Sequence, residues 1–229
     1  MKKIPLNNEL IKKREYFVSL LKKKEYDILI QEMNKIGKKY MIQCTKYDRF
    51  RDITPYDTNV SCYYKVPYIN ASFVDRFIVC QDPKVEYFDV FYQFIAASEI
   101  KLIVSLTHDS KFFPEYTIEF EDQNFRVEKI TFNCRIITRI VCKVWKDHSV
   151  VDWNVLDELY HKIIGYKSFN HRYEILVHCK AGVGRTGCLI GYILLKNLKN
   201  KTIKVNKSVF IDLLIYLRSC RNYFIQTAE

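Results

Sequence analysis

The 229-residue sequence predicts an α/β fold from three observations. An apolar run, Ile175-Leu176-Val177, reads as a buried strand that enters a glycine-spaced loop. A second apolar stretch, Cys188 to Leu198, leaves that loop and reads as a helix with almost no polar face. Elsewhere, alternating runs over 116–144 read as strands of a strongly twisted sheet, and helical periodicity brackets them. Strand, glycine loop and buried helix form an architecture that holds an anion where unpaired helix N–H groups converge.

In chain order, residues 9–40 read as two helices broken near 24–27. Leu10, Phe17, Leu20, Leu21, Ile28 and Ile30 recur there at helical spacing. A charged loop spans 46–57, with a turn at Pro55, and a strand begins at Tyr68. Strands are predicted at Phe77–Val79, Phe91–Ala96 and Leu102–Leu106, then at Tyr116–Phe120, Arg126–Phe132 and Ile136–Val144. Residues 152–165 read as a helix with Trp153, Leu156, Leu159, Tyr160 and Ile163 on one face. A last helix spans 206–219, with Val209, Leu213, Leu214 and Leu217 inward and Asn206 as N-cap.

Composition bounds the class. Hydrophobic residues are 48% and aromatics 15%, while six glycines and five prolines leave little room for linkers. One domain over residues 1–229 is expected, with 1–40 as its N-terminal helical segment. Met1-Lys2-Lys3-Ile4-Pro5 lacks the apolar core of a secretory leader. No run approaches the ~20 apolar residues of a membrane span. The eight cysteines include no C-x-x-C pair, which argues against a zinc site or a disulfide framework. The expectation is a cytoplasmic monomer with no metal and no cofactor. A net charge of +11 suits acidic partners such as phosphopeptides, phosphoinositides, anionic membrane or nucleic acid. It equally suits a lysine-rich solvated surface.

The chemistry concentrates in His178-Cys179-Lys180-Ala181-Gly182-Val183-Gly184-Arg185-Thr186-Gly187. A free thiol is only a few per cent thiolate at neutral pH, and N–H donors, a helix N-terminus and a guanidinium all favour the anion. Thiolate population is nevertheless a minor term. The larger one comes from donors pre-aimed at the equatorial oxygens of a phosphoryl group in transfer. Arg185 fits because a planar fork grips two oxygens at once. Gly182 and Gly184 let the backbone amides of the loop turn inward around an anion.

This stretch resembles the signature of the protein tyrosine phosphatase superfamily, H-C-x-x-G-x-G-R-[ST]-G. The resemblance implies transfer of phosphate to Cys179 and hydrolysis of the phosphocysteine by water. It also implies a hydrogen bond from Thr186 to the sulfur, support from His178 behind the loop, and a cradle formed by Lys180, Ala181, Gly182, Val183 and Gly184. Lys46-Tyr47-Asp48-Arg49-Phe50-Arg51-Asp52-Ile53-Thr54-Pro55-Tyr56-Asp57 and Pro67-Tyr68-Ile69-Asn70-Ala71-Ser72 resemble the loop pair of phosphotyrosine-specific members. Phe50 then stacks on the substrate ring, and Asp52 accepts hydrogen bonds from substrate amides. Trp145-Lys146-Asp147-His148-Ser149-Val150 is similar to the family's W-P-D-x-G-V-P loop, with Asp147 as general acid. Two prolines and a glycine of that pattern are replaced by Lys146, Val151 and Ser149, so an altered open–closed equilibrium and slow turnover are expected. Gln226, within Phe224-Ile225-Gln226-Thr227, positions the attacking water by the same resemblance.

Two departures and one remnant of the pattern are expected. The family's Y-I-A-T-Q-G-P pattern is matched to Phe94-Ile95-Ala96-Ala97-Ser98-Glu99-Ile100, which makes the helix after it a deletion. Glu115, in Phe113-Pro114-Glu115, stands where a family glutamate braces the arginine. A second glutamine and a closing helix have no counterpart after Gln226. The implied fold is a highly twisted mixed β-sheet flanked by helices, with Cys179 ending a central strand. The leading function is hydrolysis of phosphotyrosine in proteins, with no obligate nucleic acid partner. Lys180 opens a second reading, a phosphoinositide or RNA 5′-phosphatase. The altered acid loop opens a third, a phosphotyrosine-binding pseudophosphatase.

Overall fold

Runs of β-branched residues without alternation have to be covered on both sides, and in the computed structural model they form the middle of one sheet. The structure describes residues 3–147, 149–166 and 171–226; His148, Thr227 and the first two residues, quoted above, lie outside them. The chain opens with α1 (Lys3–Lys12), α2 (Arg14–Lys23) and α3 (Tyr26–Lys38), followed by α4 (Asn59–Tyr64), β1 (Ala71–Val74) and β2 (Phe77–Gln81). Then come α5 (Phe88–Ala97), β3 (Leu102–Ser105), β4 (Thr117–Glu121), β5 (Phe125–Phe132) and β6 (Arg135–Cys142). The rest is α6 (Trp153–Ile164), β7 (Ile175–Cys179), α7 (Gly184–Asn200) and α8 (Lys207–Cys220).

The seven strands lie in the order β1-β2-β7-β3-β6-β5-β4. The inner four, β2, β7, β3 and β6, are parallel, and antiparallel partners flank them. The sheet is therefore mixed and flanked by helices, as expected. One face packs on Leu159 and Ile163 of α6 and Leu189, Ile190 and Ile193 of α7. The other packs on Phe91, Phe94 and Ile95 of α5 and Val60 of α4. The first three helices cluster on α8 through Phe17, Leu29, Met33, Ile211 and Leu214. The Asn206 side chain caps α8 by accepting from the Val209 amide at 3.0 Å.

Four expectations are corrected. Phe91–Ala96 is helical within α5: its buried residues are 90, 91, 94 and 95, a spacing only a helix gathers on one side. The helix expected to be missing is thus present. The aromatic-Ile-x-x-Gln-x-Pro pattern falls instead on Phe77-Ile78-Val79-Cys80-Gln81-Asp82-Pro83, along β2. Residues 9–40 contain a further break at Lys13, and Ile28 faces solvent while Leu29 and Met33 are buried. Trp153 does not join Leu156, Leu159, Tyr160 and Ile163 in the core but stands 74% exposed in the first turn of α6.

A buried ion pair ties the outer strands to the segment behind the site. Glu128 on β5 faces Arg139 on β6 in register, and both are buried. Arg126 Nε also donates to Glu128 Oε1 at 2.6 Å. Arg139 Nη1 then donates to the Phe112 carbonyl at 2.7 Å, fixing a turn in which Phe113 has φ 58°. Glu128→Ala leaves a buried guanidinium without its carboxylate, so unfolding free energy should drop by about 3–5 kcal/mol. Urea denaturation measures this; a loss under about 1 kcal/mol contradicts the structural role of the pair.

Candidate active site

β7 ends at Cys179, which is buried and pairs in register with Gln81 of β2. The Asp82 amide continues the ladder by donating to the carbonyls of Cys179 (2.9 Å) and Lys180 (3.2 Å). The chain then turns at Gly182, with φ +71°, where an added Cβ would sit 2.2 Å from the Cys80 carbonyl oxygen. Only glycine fits there. Buried Arg221 holds the turn from behind: its Nε donates to the Gly182 carbonyl at 3.0 Å and an Nη to that of Ala181 at 3.3 Å. In a trans peptide the C=O and the following N–H point in opposite directions. Drawing those two carbonyls toward Arg221 therefore turns the next amides, Gly182 and Val183, the other way. α7 starts at Gly184 and adds its first, intrinsically unpaired N–H groups.

Arg185 is 8% exposed in the first turn of α7. Its Nη1 donates to the carbonyls of Leu106 (2.7 Å) and Trp145 (3.0 Å), and its Nη2 to Asp147 Oδ1 at 2.8 Å. Its buried Nε has no hydrogen-bond partner among the described residues. The glutamate brace expected from Glu115 is absent; Glu115 is exposed. The Trp145–Ser149 loop is tied together by its own side chains. Trp145 Nε1 donates to the Ser149 carbonyl at 3.0 Å, and Ser149 Oγ to the Lys146 carbonyl at 2.7 Å. Ser149, standing in the glycine position of the quoted pattern, thus supplies a tether to a loop that lacks its prolines.

A cleft of about 660 Å³ joins Cys179, Arg185, Asp147 and Gln226 with Phe50 and Asp52. Lys180, Ala181 and Gly184 also line it. The Gln226 amide oxygen lies against Gly184, 3.5 Å from where a Cβ would stand. His178, Gly182, Val183 and Thr186 do not line the cleft; His178, Val183 and Thr186 are buried beneath it. Thr186 Oγ1 is buried with no hydrogen-bond partner among the described residues, so the bond expected to the sulfur is not made here.

The Phe50 wall is fixed by a carboxylate that sequence reasoning passed over. Buried Asp48 accepts from Tyr68 Oη (2.6 Å), Asn70 Nδ2 (2.7 Å) and the Thr45 amide (2.7 Å). Asn70 Oδ1 accepts in turn from Arg221. One network therefore holds both the aromatic wall and the floor of the cleft. Arg221 was visible in the sequence as a charge three residues after Arg218, just past the end of the last helix. Asp82 is a second addition: its carboxylate accepts from Ser110 and pairs with Arg49 at 3.2 Å, 3.7 Å from His178 Nδ1. Burial pushes the Asp82 carboxyl above the usual carboxylate range.

His178 is fully buried, 5.1 Å from the Phe112 ring. Burial, then the charges of Arg139, Arg185 and Arg49, push its pKa down to about 3. Its imidazole is thus neutral when folded, whereas the unfolded chain takes up a proton below pH ~6.5. Stability from this group is present above that pH and is lost toward pH 3, at up to ~1.4 kcal/mol per unit. The stability difference between wild type and His178→Asn should therefore narrow between pH 7 and pH 4. A difference independent of pH contradicts a neutral buried imidazole.

Similarity to known proteins runs along most of the chain. The protein-tyrosine phosphatase family model matches residues 44–135 and 114–229. The receptor-type tyrosine-protein phosphatase C of Mus musculus is 29% identical over 188 residues, covering 63% of this chain and 14% of that protein. The human tyrosine-protein phosphatase non-receptor type 4 is 29% identical over 221 residues, covering 79% and 23%. The chain thus spans well under half the length of these two relatives. Among solved structures, PTPN18 in complex with HER2 phosphopeptides superposes with a TM-score of 0.73 at 17% identity, covering 94% of this chain and 93% of that one.

Proposed function

This chain belongs to the protein-tyrosine phosphatase family, and on that premise we propose that it hydrolyses phosphotyrosine in proteins through a phosphocysteine intermediate. The observation that carries the proposal is the state of Arg185. A buried guanidinium with Nη1 anchored by two carbonyls and Nε unpaired, beside a cysteine at a helix N-terminus, is a site waiting for an oxyanion.

Phosphate enters by taking Nε and Nη2 of Arg185, and Asp147 gives up its bond to Nη2. On release the carboxylate takes up a proton from solvent, and the resulting carboxylic acid faces the leaving oxygen. Cys179 Sγ attacks phosphorus in line, the S–P bond forms as the P–O bond to the phenol breaks, and Asp147 donates its proton to the departing oxygen. Water positioned by Gln226 next attacks phosphorus, returning a proton to Asp147 and the thiolate to Cys179. Phe50 stacks on the phenyl ring and Asp52 receives amides of the substrate backbone. His178 and Thr186 support the loop from the protein side. No helix among the described residues is long and apolar enough to cross a membrane.

Lys180, at the cleft, supports a second reading in which the substrate is a phosphoinositide or an RNA 5′-phosphate. Phosphotyrosyl peptide, phosphoinositide and RNA 5′-triphosphate compared at equal concentration separate the two. The depth set by Phe50 favours the peptide.

Two outcomes test the proposal. Cys179→Ser should abolish phosphate release from p-nitrophenyl phosphate; equal rates in wild type and variant would sink the enzymatic reading. Asp147→Asn removes both the acid and the competitor for Arg185. Turnover should fall by about 10²–10⁴, while vanadate should bind roughly fivefold more tightly, the equivalent of ~1 kcal/mol for a partly exposed pair. Unchanged vanadate affinity contradicts the exchange of partners at Arg185.

A further inference from the structure

Among the described residues, the two most exposed large apolar side chains lie at the mouth of the cleft. Trp153 is 74% exposed and Val150 is 69% exposed, yet both line the cavity that contains Cys179 and Arg185. An indole is a large apolar group that folding normally covers, and a pair of such groups bordering a binding site marks a contact surface. The exposure is built in. The rear of the indole packs on Tyr192, centroids 5.9 Å apart. Tyr192 is in turn anchored by its hydroxyl to Asp157 Oδ1 at 2.6 Å. Trp153 is therefore held from one side and open on the other, a pre-organised platform. Val150 follows directly from the turn that the Trp145 and Ser149 side chains tie down. The opposite wall is of another character, with the exposed charges of Asp52 and Lys180.

We propose that Trp153 and Val150 form a specificity subsite for an apolar side chain flanking the phosphotyrosine of a peptide substrate. The proposal rests on the phosphotyrosine reading above and deepens it. The occupant is argued from continuity, because the platform borders the same cleft as Cys179, and from size, because about 660 Å³ leaves room beside one phosphophenyl group. It also follows from chemistry: a side chain leaving water against an indole and a valine gains by apolar burial. A nucleobase stacked on Trp153 is the competing occupant, and the Asp152 carboxylate, which lines the cleft next to Trp153, disfavours a phosphate-bearing one.

The test measures binding in the Cys179→Ser background, so its result is independent of turnover. Two phosphotyrosyl peptides, identical except for leucine or glycine on either side of the phosphotyrosine, are titrated by calorimetry, alongside a 5′-triphosphate RNA oligomer. The leucine peptide should bind about tenfold more tightly. Trp153→Ala should bring that ratio close to one, and Trp153→Phe should keep most of it; the side chain is exposed, so both variants should fold. A ratio near one in the parent, or a ratio unaltered by Trp153→Ala, overturns the subsite. So does loss of RNA affinity on Trp153→Ala with the peptides unaffected. Hydrolysis of p-nitrophenyl phosphate without peptide discrimination defeats the subsite alone. Discrimination without hydrolysis defeats the enzymatic reading alone.

Discussion

A guanidinium keeps its charge at any pH the folded protein meets, so burying one obliges its surroundings to supply oxygens at fixed positions. Arg221 is 1% exposed and meets that demand with four acceptors: Gly182 and Ala181 carbonyls, Ser72 Oγ and Asn70 Oδ1. Two belong to the loop after Cys179, and two to the strand segment that also anchors Asp48 and the Phe50 wall. Neighbouring Arg218, its pKa pushed down to about 10 by burial and so still charged at neutral pH, donates to the Ile225 carbonyl at 2.7 Å. That bond sets the segment carrying Gln226. The end of α8 thus acts as a clamp on three separate parts of the cleft.

The floor and the lid of the cleft differ in how they are held. Below, Arg139, Glu128, Phe112 and His178 form a stack with no exposed member, and its polar contacts are charge-assisted. Above, the Trp145–Ser149 loop meets Arg185 through the 2.8 Å Asp147 ion pair, whose carboxylate is 44% exposed, and through the Trp145 carbonyl at 3.0 Å, with two side-chain tethers inside the loop. An exposed pair contributes about 1 kcal/mol or less. The Asp147 contact is therefore weakly held, and in the proposed mechanism it is the one a phosphate dianion competes with. In the proposed mechanism a rigid floor supplies donors that do not reorganise, and a releasable lid supplies an acid that can be redirected.

Much of this was legible in the sequence because the chemistry is local. His178 to Gly187 runs strand, turn and helix without a break, so residue spacing alone places Cys179, Gly182 and Arg185. The segment expected as a strand, Phe91–Ala96, lies in a helix that is apolar on most of its surface, and a short apolar run does not reveal its period. That error also displaced the Gln-x-Pro pattern from β2 and created a helix deletion that does not exist. Trp153 was assigned inward from its period, yet its place in the first turn of α6 puts it past the edge of the core. Contacts distant in sequence were beyond reach: Arg221 lies 39 residues from the Gly182 carbonyl it holds, and 151 from Asn70. Glu115 shows the converse, a residue near the right place in sequence and far from Arg185 in role.

The central claim is that Cys179 attacks phosphorus and carries the phosphoryl group until water removes it. Gln226→Ala, intended to slow the second half of the reaction, should accumulate that species. Acid quenching within the first turnover, followed by mass spectrometry of the peptide spanning residues 173–185, measures it directly. The account predicts a phosphoryl adduct on Cys179, together with a burst of phenol equal to the enzyme present. Phosphate release with no adduct on Cys179 and no burst contradicts it.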